Sequence, residues 1–221
     1  MNLTKIHQIE ISTECNLRCK YCPHPKLQRE KTNMTLATYK KALEFVRYFN
    51  KFGNQDEVAL TGMGEAILHP DFGLYVSMLR AVTDQKITLS TNGLAFTEDH
   101  AEICAMYGVK VFVSAHRPEK AGYAVELARK HGCYDAANGA AMISAFDWAG
   151  QVDYFVSAPA TVCKYVTEGW GVVLVDGRIS SCCIDANGVQ IIGDVFESAP
   201  DEIDNTGGSL CASCHMVIPD R

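Results

Sequence analysis

The sequence predicts an α/β protein, with repeated strand–helix units around a parallel sheet followed by a small cysteine-rich extension. Three observations predict it. Short apolar runs alternate with amphipathic stretches over the first 158 residues, which is the pattern of βα units. That rhythm stops near residue 160, beyond which Gly, Asp, Asn and Ser dominate. Eight of the ten cysteines fall into two groups: Cys15, Cys19 and Cys22, then Cys163, Cys182, Cys183, Cys211 and Cys214.

The apolar runs place strands at residues 6–12, 57–61, 86–90, 109–115, 141–146 and 153–157. Thr35 suits a helix N-cap ahead of an apolar face of Leu36, Tyr39, Leu43 and Val46, and Gly53 follows the helix end. Asp71 starts a second helix running to about Asp84. Thr97, followed by Glu98 and Asp99, puts acidic groups where a helix N-terminus favours them. Pro118 and Gly132 bracket a fourth helix. Residues 170–175 and 178–183 flank Asp176-Gly177, the signature of a β-hairpin. The segment that follows is too short and loop-rich to build its own core, so its cysteines suggest that metal supplies the missing stability. The expected division is residues 1–158 and residues 159–221.

Composition narrows the function classes. Of 221 residues 48% are hydrophobic and 21% charged, which fits a globular protein. The net charge of −6 argues against gripping a nucleic-acid backbone or an anionic membrane. Arg18, Lys20, Lys26, Arg29 and Lys31 form a local basic group, read as a solvated loop. The first twelve residues carry no secretory pattern, and no run approaches the apolar length that spans a membrane. A cytoplasmic, reducing location is therefore expected, where clustered cysteines bind metal or do chemistry rather than form disulfides. Cys104 and Cys133 stand apart and read as small buried hydrophobes.

Cys15, Cys19 and Cys22 have C-x3-C-x2-C spacing just after the first strand. Three thiolates on one loop suit three irons of a [4Fe–4S] cube and leave the fourth iron open, the mark of a catalytic metal. Zinc with His24 as fourth ligand is the alternative, but structural zinc sites usually pair two separated ligand hooks. After the second strand comes Thr61-Gly62-Met63-Gly64-Glu65, where glycines permit close backbone approach beside a carboxylate.

On these residues the chain resembles the radical S-adenosylmethionine (SAM) superfamily. The resemblance implies a partial barrel of about six βα units, with SAM held by its amino and carboxylate groups on the open iron. One electron then cleaves SAM to a 5′-deoxyadenosyl radical that abstracts a substrate hydrogen. It implies Tyr21 near the adenine and Gly62, Met63, Gly64 and Glu65 at the SAM amino group, with Met63 departing from the family's Gly-Gly-Glu. Thr91 and Asn92 match the family's Thr-Asn-Gly, Ser114 would contact the ribose or carboxylate, and Arg129 would pair with the carboxylate. His116 is an expected substrate ligand or proton acceptor.

The spacing of Cys163, Cys182, Cys211 and Cys214 suits zinc and a second Fe–S cluster equally. Residues 175–185 resemble the hairpin of SPASM/Twitch extensions, which implies an auxiliary [4Fe–4S] cluster on those four. Adjacent strand residues face opposite ways, so Cys182 and Cys183 are not expected to bind together, and the hairpin pattern favours Cys182. Trp148 in Asp147-Trp148-Ala149-Gly150 was weighed as substrate-facing against core.

The layout resembles small aminocyclitol dehydrogenases. It implies oxidation of a small-molecule alcohol or amine, with the auxiliary cluster accepting an electron and a donor such as flavodoxin or ferredoxin supplying one. The alternatives are a redox-neutral isomerase or epimerase, modification of a peptide, protein side chain or nucleotide, and a metal-stabilised regulatory module. The first strand begins close to Met1, so no N-terminal peptide-binding domain is expected.

Overall fold

The computed structural model describes residues 1–114, 118–135, 147–153 and 162–214. Within them, β1 (Lys5–Ile9), β2 (Glu57–Leu60), β3 (Lys86–Thr91) and β4 (Val109–Val113) lie parallel in the order β4-β3-β2-β1. Ile6, Ile9, Val58, Leu60, Ile87, Leu89, Val109 and Val111 are all buried, as strands covered on both faces require. The helices α1 (Leu36–Lys51), α2 (Phe72–Arg80), α3 (Glu98–Met106) and α4 (Pro118–Lys130) each follow a strand. The result is an α/β fold with a mostly parallel sheet. The expected strands at 141–146 and 153–157 fall on or into residues outside those described.

The helices begin where their caps predict and sometimes end early. The Thr35 hydroxyl accepts a hydrogen bond from the Thr38 N–H, and α1 buries Tyr39, Leu43, Val46 and Phe49 at helical spacing. Leu36, expected on that face, is exposed instead. Thr97 and His100 form a reciprocal cap at the start of α3. The second helix stops at Arg80 rather than near residue 84, because the Arg80 guanidinium holds the carbonyls of Thr83 and Gln85 in a turn leading to β3. Cys104 and Cys133 are buried in the core.

The C-terminal hairpin is not a separate layer. After the short helix α5 (Lys164–Thr167), β5 (Trp170–Val173) pairs parallel with the free edge of β1. Then β6 (Arg178–Ser180) and β7 (Ile191–Asp194) continue the same seven-stranded sheet antiparallel. The expected boundary at 158/159 therefore does not divide the sheet. Asn205, fully buried, donates from its amide to the carbonyls of Tyr165 and Trp170, and Leu3 N–H binds the Ile203 carbonyl, which clamps the last segment onto the first.

The Asp-Gly turn explains how the hairpin closes. Gly177 has φ +95°, and a Cβ there would come to 3.1 Å from Val195 and 3.2 Å from Phe196 and Thr38. Gly53 also has positive φ, +73°, but with nothing within 4 Å. Gly177→Ala is expected to cost about 2–3 kcal/mol, the left-handed backbone penalty plus a clash, against about 1 kcal/mol for Gly53→Ala. Equal losses in urea titrations of the two variants would contradict that packing account.

Candidate active site at the ends of strands β1 to β4

All four parallel strands point their C-terminal ends the same way, so the polar residues that follow them gather at one end of the sheet. The hydrogen bonds confirm the gathering. Glu65 N–H donates to the Glu14 carbonyl at 2.7 Å, joining the turn after β2 to the cysteine loop. Asn92 N–H donates to Glu65 Oε2 at 2.7 Å, and the Asn92 amide reaches Asn16 Oδ1 at 2.8 Å. Ser114 N–H binds the Thr91 carbonyl at 2.8 Å. Residues from the cysteine loop, the glycine turn, Thr91-Asn92 and Ser114 thus form one contiguous network.

Glu65 is 3% solvent-accessible, and among the described residues its Oε1 has no well-formed hydrogen bond. Burial pushes its carboxyl up to about 7, opposed by the Asn92 N–H, the Thr91 hydroxyl and the Ile67 N–H. A buried carboxylate oxygen without a donor suits a cationic N–H group.

The three cysteines are half-buried on the loop after β1. Arg18 Nη1 donates to the Cys15 and Leu17 carbonyls at 2.8 Å, and Cys22 N–H to the Cys19 carbonyl at 3.2 Å, so the loop folds on itself. Burial raises the Cys15 thiol and pushes Cys22 up to about 11, so thiolates here need a metal cation beside them. A single zinc with bonds of about 2.3 Å needs sulfurs about 3.8 Å apart. Among the described residues, no three of these thiols and His24 have their ligand atoms all within 4.8 Å of one another. His24 Nε2 instead donates to the Thr13 carbonyl at 2.9 Å. The donor set fits a [4Fe–4S] cube.

The glycines of the turn also lie close to the chain leaving β1. A Cβ on Gly62 would overlap the Glu10 side chain, and one on Gly64 would overlap the backbone of Ser12, Thr13 and Glu14. Both glycines let the turn pack against the chain leaving β1.

Glu10 and Arg29 are the residues that sequence reasoning missed. Read as part of a solvated loop, Arg29 instead forms a two-pronged ion pair with Glu10, Nη1–Oε1 at 2.6 Å and Nη2–Oε2 at 2.8 Å. Glu10 Oε2 also accepts the Met63 N–H at 2.7 Å. The available signal was a glutamate inside a strand of a sheet covered on both faces, which demands a buried partner.

The C-terminal cysteines meet separately. Cys163, Cys182, Cys211 and Cys214 line a small pocket with Val166, Ser181 and Leu210. Cys183 is absent from that lining and packs, as Cys163 does, against the cluster of Tyr165, Val172 and Leu174. The Tyr165 hydroxyl hydrogen-bonds to it, while burial pushes its thiol up to about 12. A turn at residues 147–152 bridges the two cysteine regions. Trp148 Nε1 donates to the Tyr21 carbonyl at 2.9 Å, Ser213 Oγ to the Ala149 carbonyl at 2.9 Å, and the Gln151 amide to the Ile184 carbonyl at 2.8 Å.

Arg129 is the expected residue that the structure does not bring to this network. Arg129 lies exposed on the last turn of α4, its guanidinium 4.9 Å over the Tyr134 ring. Twelve residues of helix carry it about 18 Å back from the strand ends. His116 lies outside the described residues. No described helix is long and apolar enough to cross a membrane.

Residues 9–143 match the family model described as the radical SAM superfamily. The S-adenosyl-L-methionine-dependent 2-deoxy-scyllo-inosamine dehydrogenase of Niallia circulans is 24% identical over 210 residues, covering 89% of this chain and 80% of that protein. The GTP 3′,8-cyclase of Aquifex aeolicus (strain VF5) is 34% identical over 121 residues, 52% of this chain, and the match spans only 37% of the cyclase. Among solved structures, BtrN in complex with AdoMet and 2-DOIA superposes with TM-score 0.68 at 22% identity, covering 90% of this chain and 81% of that one. A structure of anSMEcpe with bound AdoMet gives 0.64 at 15% identity, covering 91% and 81%.

Glu65 sets a pH dependence with a defined sign. Its native value of about 7 lies above the ordinary 4.5, so the folded state binds more protons than the unfolded one between those values. Stability of the cluster-free protein should therefore fall as pH rises from about 4.5 to about 7, by up to roughly 3 kcal/mol. Glu65→Gln removes that component. Urea midpoints from pH 5 to 8 that change equally in both proteins would rule it out.

Proposed function

The chain belongs to the radical SAM superfamily, and from that premise we propose that it dehydrogenates a carbon bearing an alcohol or amine in a small molecule, with a second [4Fe–4S] cluster in the C-terminal pocket. The observation that carries this reading is the pocket itself. It brings together four cysteines from four separate positions in the chain, apart from the cluster loop. Similarity to the 2-deoxy-scyllo-inosamine dehydrogenase supports it because the match covers 89% of the chain. The cyclase match covers about half of the chain and supports only the shared core.

SAM bound to the cluster at Cys15, Cys19 and Cys22 supplies the carbon radical that removes a substrate hydrogen. The residues of this chain do the rest. Glu65 Oε1 accepts the ammonium of SAM, and its Oε2 is fixed by Asn92. Thr91, Asn92 and Ser114 present polar groups beside it for the carboxylate and ribose, and Tyr21 lies on the cluster loop toward the adenine. Cys163, Cys182, Cys211 and Cys214 hold the electron-accepting cluster. Cys182 rather than Cys183 is assigned to that set because it lines the pocket with the other three. An external one-electron donor is required.

Anaerobically reconstituted protein should carry about eight irons, falling to about four when either Cys15, Cys19 and Cys22 or Cys163, Cys182, Cys211 and Cys214 are replaced by Ala. Incubation with SAM, dithionite and a panel of C-deuterated aminocyclitols and polyols then tests the reaction. Dehydrogenation yields deuterated 5′-deoxyadenosine and a carbonyl product lacking that deuterium. Deuterium transfer with a product at the substrate's oxidation level would establish a redox-neutral isomerisation instead. Absence of SAM cleavage would exclude the radical reading.

A further inference from the structure

We propose that Glu10 and Arg29 are positioning residues for SAM: their buried ion pair fixes the Gly62–Met63 backbone, so SAM affinity depends on two side chains that do not touch it. The proposal rests on the SAM-binding reading of that turn. The Glu10 side chain is 2% exposed and that of Arg29 7%. Both Glu10 oxygens are committed. Oε1 takes Arg29 Nη1 and, at 3.4 Å, the Val175 N–H; Oε2 takes Arg29 Nη2 and the Met63 N–H. Each oxygen accepts two hydrogen bonds, so the carboxylate has no acceptor position left over for a ligand. Arg29 is held in turn by its Nε on the Ala186 carbonyl at 2.6 Å. The carboxylate is thus pinned from the cluster loop's side and from the hairpin's side. Its stem fills the space beside Gly62, where a Cβ would otherwise sit. The turn that carries Glu65 is placed by contact with it.

The consequence is specific. Glu10→Gln keeps an oxygen for the Met63 N–H but leaves the Arg29 charge buried without a counter-charge. Arg29→Lys keeps the charge and loses the fork geometry and the third hydrogen bond. Either change should let the turn shift while leaving the cysteines intact. A misplacement of about 1 Å at a distance from the chemistry is enough for large losses.

The test uses reconstituted full-length protein. SAM affinity is measured by equilibrium dialysis, with iron content, SAM-dependent change in the reduced-cluster EPR signal, and kcat and KM for SAM in the cleavage assay. Both variants should retain iron near the wild-type level, bind SAM roughly tenfold more weakly and raise KM by a similar factor. Their kcat at saturating SAM should stay within about twofold, and their EPR response should need correspondingly more SAM. Glu10→Gln/Arg29→Gln, which leaves no unpaired charge, should bind SAM better than the Glu10→Gln and Arg29→Gln single effects combined predict. If Glu10→Gln does not fold, Arg29→Lys decides. Wild-type SAM affinity in the folded variants would overturn the proposal, as would loss of iron with unchanged SAM affinity in the loaded fraction. Failure of the wild type itself to bind SAM would overturn the SAM reading on which it rests.

Discussion

A carboxylate and a guanidinium buried together where β1 ends hold the architecture to one geometry. Isolated, either charge would be strongly unfavourable in that environment, and removing one partner of such a pair typically costs about 3–5 kcal/mol. Here the pair is two-pronged, and its remaining valences go to Met63, Val175 and Ala186. Those three backbone groups belong to the glycine turn, the hairpin and the loop beyond it. The pair therefore ties the segment carrying Cys15, Cys19 and Cys22 to both other parts of the site. The same contact accounts for Gly62, since the Glu10 stem occupies the volume of a side chain there.

The second tie is the turn at residues 147–152, and it stores strain. Trp148 and Ala149 adopt φ of +54° and +56°, a left-handed conformation that disfavours non-glycine residues by roughly 1–2 kcal/mol each. Such strain persists only where surrounding contacts over-determine it. The contacts that hold it are to Tyr21 beside the first cysteine group, Ile184 and Ala186 after Cys182, and Ser213 between Cys211 and Cys214. Two cysteine regions distant in sequence are thus referenced to one short turn. The proposed dehydrogenation would require an electron to pass from substrate to an acceptor, and a fixed relation between the two sites would serve that requirement.

Much of this was legible in the sequence. The apolar runs located β1 to β4, Thr35 and Thr97 marked helix starts, and Asp176-Gly177 marked the hairpin, because each signal is local. Cys15, Cys19, Cys22 and Glu65 were found through short motifs, and the structure joins Glu65, Asn92 and Ser114 into one network. What was not legible is pairing between distant residues. Nothing local distinguishes Arg29, buried against Glu10, from Lys26, exposed on the same loop. The parallel pairing of β5 with β1 spans more than 160 residues and merged an expected appendage into the main sheet. Arg129 misled because its distance from the site depends on the direction in which α4 returns.

A crystal structure of the anaerobically reconstituted protein with SAM tests the central claim most directly, namely that the end of β1 organises a SAM site separate from a second cluster. The account predicts a cluster on Cys15, Cys19 and Cys22, the SAM ammonium on Glu65 Oε1, the Glu10–Arg29 pair intact beneath the glycine turn, and a second cluster on Cys163, Cys182, Cys211 and Cys214. Zinc at either cysteine group, or SAM bound away from Glu65, would contradict it.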